Sequence, residues 1–363
     1  MPDDPQWRPR VRDSVIVQRD GDELLFIFSA SRTVKRFAVN EVALRLLPLL
    51  DGSRTLTDLY ELASPEELRP ILDVLREERI LSGSSDIAAD AADALGSAPA
   101  ERYDRQLRLF QDFCDEGLSD LPSGVDLQRA LGAATVAVCG AGGLGGWVLH
   151  ALAAAGAGTI RVCDFDRVEP SNLTRQVLFT TADVGRPKTE AAAERMRAVN
   201  PGIAVEPVER KITCPEDLAD VVAGADLLVN CADQPDPIAL AAIVSAACQP
   251  SVPHIMGASY AYHVGILGTT IIPGRTPCWE CVRAETLADH GRDRAVTYIA
   301  RRERAGVTGP QSGMVGNLLA WEAIRVLTGL PPALAGRWAE FDYWPLSVHE
   351  RPIPRRPDCP VCG

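Results

Sequence analysis

The stretch that decides the fold is ATVAVCGAGGLGG, residues 134–146. A short apolar run leads into Gly140-x-Gly142-Gly143-x-Gly145, and residues with helical character follow. This order predicts a Rossmann-type turn, because glycine lets the backbone approach a phosphate and a helix N-terminus supplies free N–H groups. Enzymes that use NAD, FAD or ATP share such turns, so the glycines alone leave the ligand open.

Strand-like and helical runs alternate on both sides of this turn and predict an α/β domain over residues 101–363. We expect a Rossmann-like, mostly parallel sheet whose last strands are antiparallel. The expected strands are 135–140, 159–164, 203–212, 226–231 and 252–256, followed by antiparallel runs in HVGILGTTII, RWAEFDYW and LSVHERPI. The expected helices are 143–156, 187–199 and 236–249.

The residues after the second of these strands indicate which ligand is bound. Asp164 ends that strand, where a carboxylate can bind ribose hydroxyls in a dehydrogenase or in an ATP enzyme. The segment DFDRVEPSNLTRQ (164–176) then supplies Arg175, and Lys188 begins the next predicted helix. Two cations aimed at phosphates suit the splitting of a triphosphate and not hydride transfer. Asp233, in NCADQ, is a suitable carboxylate for Mg²⁺.

Five motifs together resemble the ThiF/MoeB/MccB family, which is related to ubiquitin-activating enzymes. They are RYDRQ (102–106), GAGGLG (140–145), DFDxVExSNLxRQ (164–176), GxPK (185–188) and CAD (231–233). Enzymes of that family adenylate a carboxylate with ATP, so the resemblance implies this activity here. One position departs from the family pattern, because Gln234 stands where the family usually has asparagine after the magnesium aspartate.

The same resemblance implies roles for individual residues. Asp164 would bind the ribose beside Asp166, and Asp233 would hold Mg²⁺. Arg105 would reach the active site of a partner subunit, which implies a homodimer. The triphosphate contacts implied by the family are Asn172, Arg175, Gln176 and Lys188, with the turn glycines Gly140, Gly142, Gly143 and Gly145.

Two CxxC pairs, CWEC (278–281) and CPVC (359–362), are suited to a tetrahedral zinc site. Each pair alone could be a redox dithiol, but two pairs favour structural Zn²⁺ bound by Cys278, Cys281, Cys359 and Cys362, and the family has the same arrangement. Four thiolates leave no open coordination position, so we expect no catalysis at this metal. The chain has no cysteine between Cys281 and Cys359.

That absence bears on the chemistry, because family members that form a thioester or persulfide carry a reactive cysteine in the corresponding loop. The loop here is DHGRDRAVTYIARRERAGVTG (289–309). We therefore expect chemistry that stops at the acyl-adenylate or passes it to a nucleophile outside this chain or within the substrate. The loop either closes over the end of the substrate or is simply an exposed charged loop.

Residues 1–82 predict a separate, small, winged-helix-like (α+β) domain of three strands and three helices. Residues 83–100 are rich in Ser and Ala and predict a flexible linker. The run N-E-x-A-x-x-x-L-x-x-L-D-G-x-x-T (40–55) resembles the PqqD-like recognition element of ribosomal peptide biosynthesis. That resemblance implies capture of a leader peptide as an added strand, in a groove bounded by Thr33–Val39 and Leu68–Leu81. A small oligomerisation or stability domain is the alternative.

Composition sets the remaining limits. The formal net charge of −12 argues against a nucleic-acid partner. No apolar run is long enough to span a membrane and the N-terminus lacks a signal-peptide core, so we expect a cytoplasmic protein without a membrane partner.

Together these features predict an ATP- and Mg²⁺-dependent adenylyltransferase that acts on a ribosomally synthesised precursor peptide. Two alternatives remain open. One is a non-catalytic leader-binding partner of a cyclodehydratase, which would bring in other peptide-modifying enzymes as partners. The other is activation of a ubiquitin-like sulfur-carrier protein.

Overall fold

The computed structural model describes residues 4–84, 86–234, 236–248, 250–289 and 306–363. The chain divides into two compact units, Met1–Arg129 and Ala130–Gly363. These are called the N-terminal unit and the C-terminal unit below. The division falls later in the chain than the predicted boundaries at 82 and 100.

The N-terminal unit begins with an antiparallel sheet in the order β1-β2-β3. Its strands are β1 (Val15–Asp20), β2 (Glu23–Phe28) and β3 (Thr33–Ala38). The alternating sequence of β2 points Leu24, Phe26 and Phe28 into the core, where each is at most 4% exposed. Gly21 takes a positive φ of 58° in the turn between β1 and β2, a conformation that glycine adopts without steric cost.

Three helices complete the predicted small domain: α1 (Glu41–Leu46), α2 (Leu56–Tyr60) and α3 (Pro65–Glu77). Each begins behind a polar cap. The side chain of Asn40 accepts from two backbone N–H groups, and Thr55 and Ser64 form capping boxes with residues three positions later. The separate antiparallel sheet and its helices agree with the predicted (α+β) domain.

Helices replace the predicted linker. The N-terminal unit continues with α4 (Ile87–Leu95) and α5 (Ser97–Asp115) and ends within α6 (Gly124–Ala133), so most of residues 83–100 are helical. Alanine is the strongest helix former, and Asp86 caps the first of these helices. Ile87 and Ala91 pack in a small apolar cluster with Leu107 of α5, which gives α4 a buried face.

Among the described residues, a nine-stranded sheet forms the centre of the C-terminal unit, in the order β12-β11-β10-β8-β7-β4-β5-β6 with β9 paired to β10. The five strands from β6 to β8 are parallel, and the strands beyond β8 are antiparallel. The strands are β4 (Thr135–Cys139), β5 (Thr159–Asp164), β6 (Ala204–Glu209), β7 (Leu227–Asn230), β8 (His254–Met256), β9 (Ser259–Ala261), β10 (Val264–Ile271), β11 (Arg337–Asp342) and β12 (Ser347–Pro352). This mostly parallel sheet with late antiparallel strands confirms the predicted fold class.

Helices of the C-terminal unit connect and cover these strands. They are α7 (Gly143–Ala155), α8 (Lys188–Val199), α9 (Ala219–Val222), α10 (Pro237–Cys248), α11 (Trp279–Asp289) and α12 (Gly309–Thr328). Helices α7 and α12 make the most extensive helix–helix packing of this unit, across small residues such as Gly313 and Gly316 that abut the Trp147 ring. Among the described residues, none of the helices has the length and apolarity needed to cross a bilayer.

The strand order sets the place of a binding site. From β4 the chain runs to β5 and β6 on one side, then returns to β7 on the other side of β4. Where the direction of such a sheet reverses, the loops at the carboxyl ends of the strands diverge and leave a crevice. The glycine turn follows β4 directly and therefore opens onto this crevice.

Candidate active site

The glycine turn has the tight geometry that its sequence predicts. Gly140 has a φ of +90° and donates its N–H to the carbonyl of Cys163 at 2.7 Å. A Cβ on Gly140 would lie 2.9 Å from the nitrogen of Ala232, and one on Gly145 would lie 1.7 Å from the oxygen of Gly140. The first glycine thus permits the turn, and Gly145 permits close packing of α7 against it.

Asp164 ties the turn to the end of β5. One of its carboxylate oxygens accepts from the N–H of Ala141 at 2.7 Å, and the other accepts from the N–H of Asp166 at 2.8 Å. Burial raises the pKa of Asp164, although the nearby Lys188 and these N–H groups oppose the shift. Each carboxylate oxygen retains lone-pair capacity for a ligand hydroxyl.

Lys188 is a buried cation at the start of α8. Its side chain is 7% exposed, and its Nζ lies 2.9 Å from Oδ2 of Asp166. The backbone holds the same pairing, because the N–H of Lys188 donates to the carbonyl of Asp166 at 3.0 Å. The ammonium carries three N–H donors, so it can pair with Asp166 and also donate to an anion bound in the cleft.

The loop before α8 carries the other predicted phosphate contacts. Asn172 is only 6% exposed and its Oδ1 accepts from the N–H of Glu169 at 3.2 Å, so it organises the loop backbone. The guanidinium of Arg175 donates to the carbonyl of Ser171 at 3.0 Å. Gln176 is 3% exposed, and its Oε1 has no hydrogen-bond partner among the described residues.

These groups meet in one open cleft of about 850 Å³. Of the predicted site residues, the cleft wall contains Gly140, Gly142, Gly143, Asp164, Asp166, Arg175, Gln176, Lys188 and Asp233. Gly145 and Asn172 are not part of that wall, since Gly145 packs against the turn and Asn172 bonds the backbone of Glu169. Arg105 lies in the N-terminal unit on α5, where its side chain is 95% exposed and its Nε lies 4.0 Å from Asp104.

Several residues of the cleft wall were not predicted from the sequence. Arg210 directly follows β6. Ligands bind at the carboxyl ends of parallel strands, so this position was a signal for a site residue. Phe165 lies between the two predicted aspartates, with the Nζ of Lys211 5.5 Å from its ring centroid. Tyr260 comes from an antiparallel strand far along the chain, and no sequence spacing relates it to the turn.

The four predicted zinc ligands form a second cluster. The Sγ atoms of Cys278, Cys281, Cys359 and Cys362 all lie within 4.8 Å of one another. Two of the separations are 3.5 and 3.6 Å, too long for a disulfide bond of about 2.05 Å. Sulfurs about 2.3 Å from a tetrahedral zinc are about 3.8 Å apart, so the cluster fits this metal. The N–H of Arg356 also donates to Cys281 Sγ at 3.5 Å.

The fold and the cleft define the class of the protein: a doubly wound α/β protein whose glycine turn, lysine and arginine are arranged for a nucleotide. The ThiF family model matches residues 103–361, and the chain belongs to that family. The chain is 36% identical over 266 residues to the sulfur carrier protein adenylyltransferase of Thermus thermophilus, covering 72% of this chain and 90% of that protein. It is 37% identical over 273 residues to the SAMP-activating enzyme E1 of Haloferax volcanii, covering 74% and 91%.

A solved structure extends the similarity to nearly the whole chain. The microcin C7 biosynthetic enzyme MccB, in complex with N-formylated MccA, superposes with a TM-score of 0.75 at 25% identity. The match covers 98% of this chain and 99% of MccB. This family membership makes the protein an ATP-dependent adenylyltransferase.

Proposed function

We propose that this enzyme adenylates a carboxylate on a ribosomally synthesised precursor peptide while its small N-terminal domain, residues 1–82, holds the leader of that peptide. One observation carries the proposal. The sulfur carrier protein adenylyltransferase and the SAMP-activating enzyme E1 match 72% and 74% of this chain, although 90% and 91% of their own lengths are matched. MccB, whose structure contains a peptide, matches 98%. The segment ahead of the family match, which begins at residue 103, is thus part of the similarity to the peptide-bound relative.

The cleft supplies the groups that the reaction needs. A carboxylate oxygen of the peptide attacks the α-phosphorus of ATP, the bond from that phosphorus to the bridging oxygen breaks, and pyrophosphate leaves with the electron pair. The developing charge falls on phosphate oxygens, where Arg175, Lys188 and the N–H groups of α7 would stabilise it. Asp164 would bind the ribose beside Asp166.

Magnesium fits the same cleft. Asp233 is an exposed carboxylate on the cleft wall, and Asp166 adds a second that already pairs with Lys188. Mg²⁺ prefers such oxygen ligands next to phosphates. In this proposal Asp233 holds Mg²⁺, which supplies further charge neutralisation when it is bound. The exposed Arg105 would complete the active site of a partner subunit, as the family resemblance implies.

The edge of the small sheet supports leader binding. Among the described residues β3 pairs only with β2, so its outer edge offers backbone N–H and C=O groups to an added strand. Lys35 of β3 pairs with Glu78, just beyond α3, at 2.7 Å and thereby links the two predicted walls of the groove. Within these two predicted walls, Val34 and Val74 are 47% and 40% exposed.

A second candidate function is activation of a sulfur-carrier protein, which the name of the relative at 36% identity favours. Pyrophosphate exchange into ATP separates the two functions. We expect exchange with the peptide encoded by a short reading frame next to the gene, and none with the Thermus thermophilus sulfur carrier. Exchange with the carrier alone would reverse the assignment, and exchange with neither would favour a non-catalytic scaffold.

Leader binding has its own test, because a tethered substrate reacts at a raised effective concentration. Removing the leader from the peptide should raise its KM by about a hundredfold, within the usual range for lost tethering, and leave kcat within about threefold. Equal KM values for the full and the truncated peptide would refute this part of the proposal.

A further inference from the structure

A pair of hydroxyl groups lies at one end of the cleft, and the nucleotide roles proposed above do not use it. Tyr260 of β9 donates its hydroxyl to Oγ of Ser312, on α12, at 2.8 Å. Ser312 is fully buried, whereas Tyr260 is partly buried and belongs to the cleft wall. The phenol is therefore held in place by a side chain that solvent does not reach.

The glycine turn places this pair relative to the nucleotide. At the start of the turn, the N–H of Ala141 binds Asp164, the proposed ribose ligand. At the other end, a Cβ on Gly143 would lie 3.0 Å from the hydroxyl oxygen of Tyr260 and 3.1 Å from that of Ser312. A nucleotide whose ribose lies at Asp164 would extend its phosphates along the turn towards Tyr260.

Charge at that end of the cleft favours an acid. The side chain of Arg175 approaches the same point, since its Cδ would lie 3.4 Å from a Cβ on Gly143. Burial raises the pKa of Tyr260, so the phenol stays protonated and can donate a hydrogen bond. Hydroxyl hydrogens rotate, so Ser312 can donate to Tyr260 while Tyr260 donates to a bound anion.

We propose that Tyr260 binds the attacking carboxylate of the acyl substrate, with Ser312 as the positioning residue that orients the phenol. The inference rests on the proposed adenylyl transfer and holds for any acyl substrate. Tyr260 donates to one carboxylate oxygen and leaves the other free to attack the α-phosphorus. The phenol keeps its proton throughout, since the only bonds that change are those to phosphorus.

Two probes separate contact with the acyl group from contact with the phosphates. AMPCPP carries the nucleotide and its phosphates, whereas 5′-O-(N-acetylsulfamoyl)adenosine imitates an acyl-adenylate with the smallest acyl group. We expect Tyr260→Phe to bind AMPCPP within about twofold of the unmodified enzyme and the acyl analogue about tenfold more weakly, as for one lost hydrogen bond to a polar ligand. Ser312→Ala should weaken only the acyl analogue, and by less.

Tyr343→Phe is the matched control. It removes a phenol of the same unit that donates to the carbonyl of Gln311 at 3.2 Å and is not part of the cleft wall, and both probes should bind it as they bind the unmodified enzyme. Unchanged binding of the acyl analogue by Tyr260→Phe would overturn the inference. An equal loss of affinity for both probes would also overturn the inference, because the phenol would then contact the phosphates or only support folding. Neither probe contains a peptide, so failure of the peptide assignment in the exchange assay is a separate result.

Discussion

Replacing glycines of the turn by alanine, one at a time, should give three different results. At Gly143 an added Cβ would lie 3.0–3.4 Å from side-chain atoms of Tyr260, Ser312 and Arg175. Side chains can yield by tenths of an ångström, and alanine favours a helix over glycine by about 0.5–1 kcal/mol. Gly143→Ala should therefore fold with a free energy of unfolding close to that of the unmodified protein.

The affinity of the same variant for the nucleotide should decrease. The new methyl group stands at the first residue of α7, where the backbone is expected to approach a phosphate. Forcing a methyl group into a closely packed contact costs about 1–3 kcal/mol, which corresponds to a loss of affinity of about 5- to 150-fold. Isothermal titration with AMPCPP measures this loss, and thermal melting of the same samples reports folding.

Two neighbouring glycines are the controls. A Cβ on Gly146 would meet its nearest atoms at 3.8–4.0 Å, an ordinary contact, so Gly146→Ala should bind AMPCPP normally. A Cβ on Gly145 would lie 1.7 Å from a backbone oxygen, so Gly145→Ala should lose about 3 kcal/mol of stability or fail to fold. Normal AMPCPP binding by a folded Gly143→Ala would refute the placement of phosphates at this turn.

Three further predictions concern the lysine, the buried histidine and the cysteine cluster. Lys188→Ala should lower the rate of adenylyl transfer by about 10²–10³-fold, as removal of other transition-state donors does. The control Arg337→Ala breaks an exposed ion pair elsewhere in the unit and should leave the rate unchanged. Equal rates in the two variants would contradict the role of Lys188. Burial lowers the pKa of His254 to about 4 from its ordinary 6.5, so the unfolded chain binds a proton more readily than the folded chain. The free energy of unfolding should therefore fall by about 3 kcal/mol as the pH is lowered from 6.5 to 4. Chemical unfolding across this range should show less pH dependence in His254→Gln, and an unaltered dependence would count against this cause. Metal analysis should find one zinc per chain. Cys359→Ser should lower the Tm by more than about 5 °C, since each kcal/mol of lost unfolding free energy shifts the Tm of a domain of this size by about 2–4 °C. A metal-free protein, with a Tm that Cys359→Ser leaves unchanged, would contradict the zinc assignment.

The central strands were predictable because parallel strands buried on both faces are continuous apolar runs that end at polar or glycine residues. Thr159–Asp164 has the predicted bounds, and Thr135–Cys139 is one residue shorter than predicted. The linker prediction failed because small residues such as those of 83–100 serve both flexible segments and helices. The cap at Asp86 and the burial of Ala91 stabilise the helix here. Burial depends on partners that are distant in sequence, so the sequence pattern did not reveal it.

The candidate site was predictable where its residues follow the carboxyl ends of strands or share one motif. Asp164, Arg175 and Lys188 reach the cleft for that reason. Asn172 belongs to the motif, but its side chain caps the backbone of Glu169. Tyr260 was not predictable from the sequence, because its position depends on how the antiparallel strands fold back beside the turn.

The most direct measurement is the exchange of labelled pyrophosphate into ATP, driven by the precursor peptide, in the unmodified enzyme and in the double variant Arg175→Ala/Lys188→Ala. We predict peptide-dependent exchange, with an acyl-adenylate and pyrophosphate as the products, and a loss of at least about a thousandfold in the double variant. Exchange at the native rate in that variant, or turnover that yields ADP and phosphate, would contradict the account.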